Sequence, residues 1–536
     1  MTFALRRDRP ATYTRGKGRA SSTPRILDAE PAQERTGEPM TFKPPILGLM
    51  LATDVSSIPD GGAAVLDNWV CLSSTVRARG GVAERNDAMT GPVRAMFAYV
   101  SGSTSELYAI DGAGVIYDVT ATGAPVSTGV TGLVTTVWTA AQFTTSGGVY
   151  AVLAGEGNAP QKYDGTTWSA MTLSSGPTLS TISHLWPYAN RLFFIEGGST
   201  NAWYLAVDSI GGALTKFPLG GEFREGGTLV AGASWTADAG DKTEARCVFV
   251  SSEGEVAVYE GADPASWYIR GVFKVAKPCG QNCFLKVGGD LLIVTEDGVF
   301  AMSQIEQLDR AALANEAVSR NIQPLWREAA ATSDLSLWQI VRHDREGLAL
   351  VFIPDTPGQD RCMFVVNVQT GAWSRWTGIE GSCLIAFENE LIIGGMDGRI
   401  MTGDSGGYDD GAAYTASYIG QFRMNSGGMI FPRLAKALVS TDGGCLPRVM
   451  AKLDYDTSAP PVPPACVPVG VAIWDTAEWD AAAWYSGATI SGAWQGVEGS
   501  GTALAPCVVI TFGQSSKPRY DLIRTDFIFE GGGLVG

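Results

Sequence analysis

The residues most able to do chemistry are concentrated in one stretch, SIPDGGAAVLDNWVCLSSTVRARGG, residues 57–81. Carboxylates, an amide, a thiol and guanidinium groups at this density could form an acid–base or nucleophilic site, or a set of ion pairs. Its polar members are Asp60, Asp67, Asn68, Cys71, Arg77 and Arg79.

The elements that must position these side chains favour ion pairs over catalysis. A Pro-Asp-Gly turn precedes residues 63–70, whose spacing predicts a short amphipathic turn of helix. On a following strand, Arg77 and Arg79 are two residues apart and share one face. We expect them to pair with an acid of a terminal platform domain or of a neighbouring subunit. The inward residues of the helical turn are Val65, Leu66 and Trp69.

Few other residues offer a catalytic or metal site. The chain has 2 histidines, His184 and His343. With so few histidines, the usual general base is scarce and a metal site of several histidines is excluded. We therefore interpret both as structural residues. Cys279 and Cys283 have loose zinc spacing, but no second pair or nearby histidine completes four ligands. The acidic loop at residues 402–411 lacks the register of a calcium loop, so its acids are interpreted as turn formers. Those acids are Asp404, Asp409 and Asp410.

Sequence motifs of enzymes are also missing. KYDGTTW, residues 162–168, approaches the Asp-box turn of sialidase-like propellers, but Asp164 directly precedes Gly165 and the leading serine is absent. The chain has no phosphate-binding glycine loop and no G-x-S-x-G nucleophile elbow. We therefore predict that the protein is not an enzyme, and we assign no catalytic, cofactor-binding or metal-ligating residue.

Composition favours short strands joined by tight turns. Of 536 residues, 66 are glycine, 18% are charged and 45% are hydrophobic. The net charge of −16 argues against a protein that grips nucleic acid, although an acidic passage would let DNA slide past. The 9 cysteines, an odd number scattered over a long chain, predict reduced and mostly buried thiols. No apolar run is long enough to predict a membrane span.

Residues 95–411 repeat a pattern of strand, turn and strand. Apolar alternation is broken by Asp-Gly or Gly-Gly pairs, and Gly298 and Gly398 stand where a hairpin turn needs positive φ. Residues 162–171 and 367–376 each place a tryptophan shortly after a turn glycine. This pattern predicts an all-β fold with the blades of a β-propeller, and a series of β-sandwiches is the competing architecture. The clearest predicted hairpins span residues 106–119, 246–261, 290–303 and 390–403.

One segment, residues 303–334, departs from the β pattern. Ser303 followed by Glu306 predicts a capping box, and the apolar spacing predicts an inserted helix near 304–330. Pro324 is expected to end or kink that helix, leaving a short second helix through Trp326 and Glu328. The helix either packs on a blade or contacts a neighbouring subunit.

The two ends of the chain differ in amino-acid composition from the predicted blades. The N-terminal segment is polar and rich in arginine and proline, which predicts disorder; a basic arm that touches nucleic acid and a true start at Met40 stay open as alternatives. The predicted domains are a disordered segment at 1–40, the N-terminal part of a platform at 41–95, the β-propeller at 96–411, and a C-terminal β domain at 412–536 that completes the platform.

The entry stretch resembles the opening of the tail nozzle proteins of short-tailed phages, a family also called tail tubular protein B or packaged-DNA stabilisation protein. The resemblance continues through residues 253–275, the hairpin before the inserted helix, the turn at 367–376 and the closing FIFEGGG, and it touches most of the chain beyond residue 40. The arginine-rich N-terminus and the tryptophan-rich end depart from the family. The matching positions are Asp60, Gly61, Ala64, Leu66, Asn68, Arg77, Arg79 and Gly80.

This resemblance implies a structural protein of a podovirus virion, assembled in the host cytoplasm and located in the tail, with no cofactor. It implies a homohexamer whose subunits each contain a propeller and a platform domain built from the chain ends. The ring docks below the head-to-tail adaptor and portal, retains packaged DNA, and conducts that DNA during ejection without sequence-specific binding. Tail fibres, spikes or a needle are further candidate partners. The residues implied in assembly are Asp60, Asn68, Arg77 and Arg79.

Two functions of other classes stay open. One is a propeller that binds or cleaves carbohydrate, such as a receptor-binding tail protein. The other is a generic propeller scaffold for protein interactions.

Overall fold

The structure is a computed structural model that describes residues 38–238, 243–313, 315–354, 362–425, 428–442, 444–466 and 488–533. Strands dominate these residues, as the glycine-rich and charge-poor composition predicts.

Six four-stranded antiparallel blades and one three-stranded sheet follow one another around an axis, which confirms the predicted all-β propeller. Blade 1 contains Ala95–Ser101, Thr104–Ile110, Ile116–Asp118 and Val126–Ser127; blade 2 contains Thr139–Thr145, Gly148–Ala154, Gln161–Tyr163 and Trp168–Ala170; blade 3 contains Ile182–Tyr188, Arg191–Glu196, Asn201–Tyr204 and Thr215–Pro218; blade 4 contains Leu229–Asp238, Thr243–Ser251, Glu255–Glu260 and Tyr268–Lys274. The three-stranded sheet contains Phe284–Val287, Asp290–Thr295 and Gly298–Ala301; blade 5 contains Gln339–His343, Leu348–Ile353, Cys362–Asn367 and Trp373–Thr377; blade 6 contains Cys383–Phe387, Glu390–Gly394, Ile400–Ser405 and Gly81–Asn86.

The ring is closed by a strand that precedes blade 1 in the chain. Gly81–Asn86 is the outermost strand of blade 6, in which Ala83 pairs with Thr402 and Asn86 with Ile400. Backbone hydrogen bonds therefore join the two ends of the propeller, and the ring can open only if this pairing breaks.

The predicted hairpins are confirmed, and their turns show why glycine is needed there. Asp290–Thr295 pairs with Gly298–Ala301, and Glu390–Gly394 pairs with Ile400–Ser405. Gly298 has φ 141° and Gly398 has φ 89°, in a region that glycine adopts without a Cβ clash.

The described residues of the insertion contain three short α-helices, where the sequence predicts one inserted helix and a short second one after Pro324. The predicted capping box is wrong, because Ser303 lies inside the first helix and its hydroxyl donates to Asp290. The last helix includes Trp326 and Glu328, as predicted, and Pro324 lies in its first turn, where a fixed φ and a missing N–H are tolerated. The helices are Met302–Ile305, Arg310–Leu313 and Gln323–Thr332, and within the described segments no helix is both long and apolar enough to span a membrane.

The last helix packs on blade 5 through Trp326. The Trp326 ring is fully buried, with its centroid 5.3 Å from that of Trp338 and 5.8 Å from that of Phe364. Its Nε1 donates to the carbonyl of Thr295 at 3.0 Å. The insertion is therefore fastened to its own propeller.

The two chain ends build two further sheets, which we call the platform. One of these sheets is continuous with blade 5, because Gly48 pairs in parallel with Trp373 and Asp67 with Arg375. The first sheet contains Glu38–Phe42, Trp69–Cys71, Val76–Ala78, Gly428–Thr441, Thr489–Ser491, Gln495–Gly496 and Tyr520–Gly533. The sheet that continues blade 5 contains Gly48–Leu49, Gly62–Asp67, Tyr414–Gly420, Arg423–Met424, Arg448–Leu453 and Ala503–Phe512.

The predicted helical turn at residues 63–70 is wrong. Gly62–Asp67 is a strand inside a sheet, and most of its side chains are buried on both faces. A strand buried on both faces loses the alternation of apolar and polar residues, so its sequence resembles one face of a helix. The strand Glu38–Phe42 begins within the segment predicted as disordered, and residues 1–37 lie outside the described part of the chain.

The prediction that the cysteines are reduced is wrong for one pair. Cys445 and Cys466 form a disulfide, with their Cα atoms 6.0 Å apart. An odd cysteine count describes the whole chain, whereas a disulfide requires only two suitably placed residues. Six of the others are free and buried, namely Cys71, Cys247, Cys279, Cys283, Cys383 and Cys507.

Candidate functional site

Arg79 lies at the centre of a junction between blade 5, blade 6 and the platform. It follows the strand Val76–Ala78, and its side chain is 0% exposed. Nη1 donates to Asp409 Oδ1 at 2.8 Å, and Nη2 donates to Asp409 Oδ2 at 2.5 Å and to the carbonyl of Thr377 at 3.1 Å. The guanidinium carbon lies 4.3 Å from the centroid of the Tyr414 ring. The buried cation is tolerated because a carboxylate, a carbonyl and an aromatic face replace its water.

Asn68 orients this arginine. Its Oδ1 accepts from Arg79 Nε at 2.8 Å and from the backbone N–H of Thr377 at 2.9 Å. Its Nδ2 donates to the carbonyl of Thr415 at 2.7 Å. The backbone of Asn68 has φ 63°, a left-handed conformation that asparagine tolerates better than most residues. Two motif residues therefore form one buried hydrogen-bond network.

The acidic loop at residues 402–411 supplies the carboxylates around this network. Asp404 accepts from Lys517 Nζ at 2.7 Å, while Asp410 accepts two hydrogen bonds from Arg399 at 2.9 and 2.6 Å. The carboxylate of Asp410 is the main cause of the raised pKa of Arg399. Among the described residues, no group of three or more metal-ligating side chains is found. The loop's acids thus contact cations of the same chain.

Arg77 and Asp60 make more exposed ion pairs. Arg77 Nη1 lies 3.2 Å from Glu346 Oε2 in the turn within blade 5, and its Nε lies 3.3 Å from Asp521 Oδ1 in the platform. Asp60 Oδ1 lies 2.7 Å from Arg423 Nη2, within the platform. The structure therefore brings Arg77 to an acid of the platform and leaves Asp60 in a separate pair.

A cavity of about 490 Å³ lies beside the junction. Its walls carry both signs of charge, and four of the charged side chains are engaged with one another or with Arg79. The charged groups named in those pairs are Asp397, Arg399, Asp409 and Asp410.

A second cavity, of about 500 Å³, lies on the propeller axis, and we call it the axial cavity. The innermost strands of all six blades and of the three-stranded sheet line it. Sequence reasoning missed this cavity because its lining comes from separate strands that share no motif. Its polar side chains include those of Thr139, Gln142, His184, Ser234, Gln281, Asn282, Lys286 and Gln339.

Both histidines are buried. His184 Nε2 donates to the carbonyl of Gly232 at 2.9 Å, which leaves Nδ1 as the unprotonated nitrogen. Burial lowers the pKa of His184 to about 4 and lowers the pKa of His343 as well. Both imidazoles are therefore mainly uncharged at neutral pH.

The cysteine pair and the turn motif that the sequence analysis singled out have structural roles. Burial raises the pKa of the Cys279 thiol, and it raises the pKa of Cys283 to about 12, so thiolate chemistry at neutral pH is disfavoured. Asp164 accepts the backbone N–H of Thr167, and this and further turn hydrogen bonds lower the pKa of Asp164 to about 2. That turn places Trp168 in the aromatic cluster between blades 1 and 2.

Comparison with known proteins supplies fold similarity alone. No protein-family model matches the chain, and no curated protein matches it. Among solved structures, it is similar to the WD40 β-propeller domain of Doa1, with a TM-score of 0.36 and 10% identity over 61% of this chain and 96% of that chain.

The order of its sheets makes this chain a β-propeller protein. It is also similar to YCF48 bound to D1 peptide, with a TM-score of 0.30 and 9% identity over 50% of this chain and 96% of that one. A third similar structure is Sqt1 of Saccharomyces cerevisiae, with a TM-score of 0.33 and 12% identity over 59% of this chain and 98% of that one.

Proposed function

We propose that the chain is a structural protein of a phage tail, the subunit of a nozzle that forms a hexameric ring below the portal and adaptor. In this role the ring closes the tail channel, retains packaged DNA and conducts it during ejection. The observation that carries the proposal is the buried junction. Asn68 and Arg79, two of the positions at which the sequence resembles nozzle proteins, are among the residues that fasten the propeller to the platform.

The same segment of chain also closes the propeller. Arg79 is followed almost at once by Gly81–Asn86, the outermost strand of blade 6. A force that separates the platform from the propeller must break this bidentate ion pair and the pairing of the platform sheet with blade 5. Such a joint suits a ring that has to keep its domains in fixed positions while it holds DNA.

The charge of the chain suits a passage for DNA. A net charge of −16 repels the phosphate backbone, so DNA in contact with an acidic wall is not retained by it. Movement without sequence-specific binding is what ejection requires.

The platform offers a surface for contact between subunits. Thr489–Ser491 ends the strand order of its sheet, and in the described part of the chain this strand pairs on one side, with Gly428–Thr441. Ile490, in that edge strand, is 65% exposed, and Trp494 beyond it is 45% exposed. An edge strand with exposed apolar side chains is a site for pairing with another chain, and we assign it to lateral contacts in the ring.

Native mass spectrometry and negative-stain microscopy test this function. The purified chain is examined alone and together with portal and adaptor proteins of the same phage. We expect rings of six subunits that bind below the adaptor. A chain that stays monomeric in the presence of both partners would contradict the proposal, and depolymerisation of a glycan by the purified chain would favour the carbohydrate-directed alternative.

A further inference from the structure

We propose that the axial cavity binds a small carboxylate-bearing ligand, with Lys286 as its charged anchor. Lys286 belongs to the innermost strand of the three-stranded sheet, Phe284–Val287. It is the one charged residue among those that line the cavity in the described part of the chain. A cavity with a single cation and no carboxylate in its wall has a charge complementary to an anion.

The ammonium group of Lys286 has hydrogen-bonding capacity to spare. Its Nζ donates to Ser234 Oγ at 2.6 Å, on the innermost strand of blade 4. Within the described residues, no carboxylate lies close enough to form an ion pair with it, so two of its three N–H donors are left for a ligand. Partial burial also lowers the pKa of Lys286, because the charged form is partly removed from water.

Several lysines elsewhere in this acidic chain are paired with carboxylates. Lys277, shortly before the same sheet, has its Nζ 3.1 Å from Glu253 Oε2. Lys517 and Lys452 likewise lie 2.7 and 2.8 Å from aspartate oxygens. The chain has 55 acidic residues against 39 basic ones, yet none of the acidic residues is among those that line the cavity in the described part of the chain.

The neutral side chains of the cavity indicate the rest of the ligand. Gln281 Oε1 is buried and has no hydrogen-bond partner. Gln339 uses its Oε1 to accept from the backbone N–H of Leu384 at 3.0 Å, which leaves its amide N–H groups to donate. Acceptors and donors beside one cation suit a carboxylate that also carries hydroxyl or amide groups, such as a sugar acid or an amino acid. A volume of about 500 Å³ holds a molecule of that size.

Calorimetric titration of the full-length chain with charged and neutral probes of matched shape tests the site. Glucuronate is compared with glucose, and glutamate with glutamine, for the wild type, Lys286→Met and Lys216→Met. Lys216 is an exposed lysine on the outermost strand of blade 3, so its replacement controls for net charge. We expect one of the carboxylates to bind at least about ten-fold more tightly than its neutral partner, and Lys286→Met to abolish that preference while Lys216→Met keeps it. The carboxylate that binds distinguishes a sugar acid from an amino acid.

A measurement on the wild type avoids dependence on the folding of a variant. Lysine acylation is followed by peptide mass spectrometry with and without each probe. The carboxylate is expected to slow acylation of Lys286 and to leave Lys216 unchanged, and Lys286→Arg is expected to retain binding. Equal binding of charged and neutral probes, or a carboxylate preference that survives in Lys286→Met, would overturn the proposal.

Discussion

Arg79 and Asp409 are 330 residues apart in sequence and form a two-pronged ion pair in which both terminal nitrogens of the arginine contact the carboxylate. The arginine side chain is 0% exposed and the aspartate side chain is 12% exposed. This pair connects the segment that closes the propeller to the acidic loop after blade 6. Several consequences of this and related contacts are open to measurement.

Replacing Arg79 with methionine should destabilise the protein far more than the same change at Arg77. Arg79→Met leaves Asp409 without its partner in a buried site, which costs about 3–5 kcal/mol of unfolding free energy. Arg77 is 34% exposed, and loss of its ion pairs costs about 1 kcal/mol or less. Thermal unfolding of both variants beside the wild type measures the difference, and equal losses of stability would show that the junction is not the critical contact.

A charge placed on the platform edge should prevent assembly, whereas the same charge on the propeller should not. Ile490 in the platform and Val126 in blade 1 are both 65% exposed, so Ile490→Asp and Val126→Asp are matched in exposure and chemistry. If the edge strand makes lateral contacts, desolvating the new carboxylate disfavours the ring in the first variant alone. Native mass spectrometry of the two variants decides this, and intact rings from Ile490→Asp would exclude the edge strand as the contact.

Breaking the disulfide should lower stability by about 3 kcal/mol, because the bond closes a loop of 21 residues in sequence separation. The measurement is the melting temperature with and without a reductant for the wild type and for Cys445→Ser/Cys466→Ser. We expect the reductant to destabilise the wild type and to leave the double variant unchanged. A thiol titration of the denatured, unreduced protein should find seven thiols, because two of the 9 cysteines are in the disulfide. A count of nine thiols would contradict the bond.

Stability should decrease as the pH falls from about 6.5 to about 4, in part because of His184. The folded pKa of about 4 lies below the ordinary value of 6.5, so the unfolded chain binds a proton in this range and the folded chain does not. Each pKa unit corresponds to about 1.4 kcal/mol. His184→Gln keeps a side-chain donor for Gly232 and removes the titration, so the drop in melting temperature on acidification should be smaller in this variant. An identical drop in both proteins would show that other groups account for the whole effect.

Local sequence determined most of the strand architecture. Asp-Gly pairs at the hairpin turns, apolar alternation and turn tryptophans are short-range signals, and they predicted the propeller because a hairpin is specified within about a dozen residues. The net charge of the chain and its small number of histidines likewise follow from composition alone. The errors at residues 63–70 and at Ser303 arose where a strand buried on both faces or a single turn of helix left an ambiguous local pattern.

Tertiary structure alone decided how distant segments meet. Sequence marked Asn68 and Arg79 as a dense polar stretch and the acidic loop as a set of turn formers, but only folding brought Asp409 to the arginine. It also brought Cys445 to Cys466 and assembled the axial cavity around Lys286 from separate strands. Contacts of this kind depend on how sheets close around an axis, a long-range geometry that neither the spacing nor the type of neighbouring residues encodes.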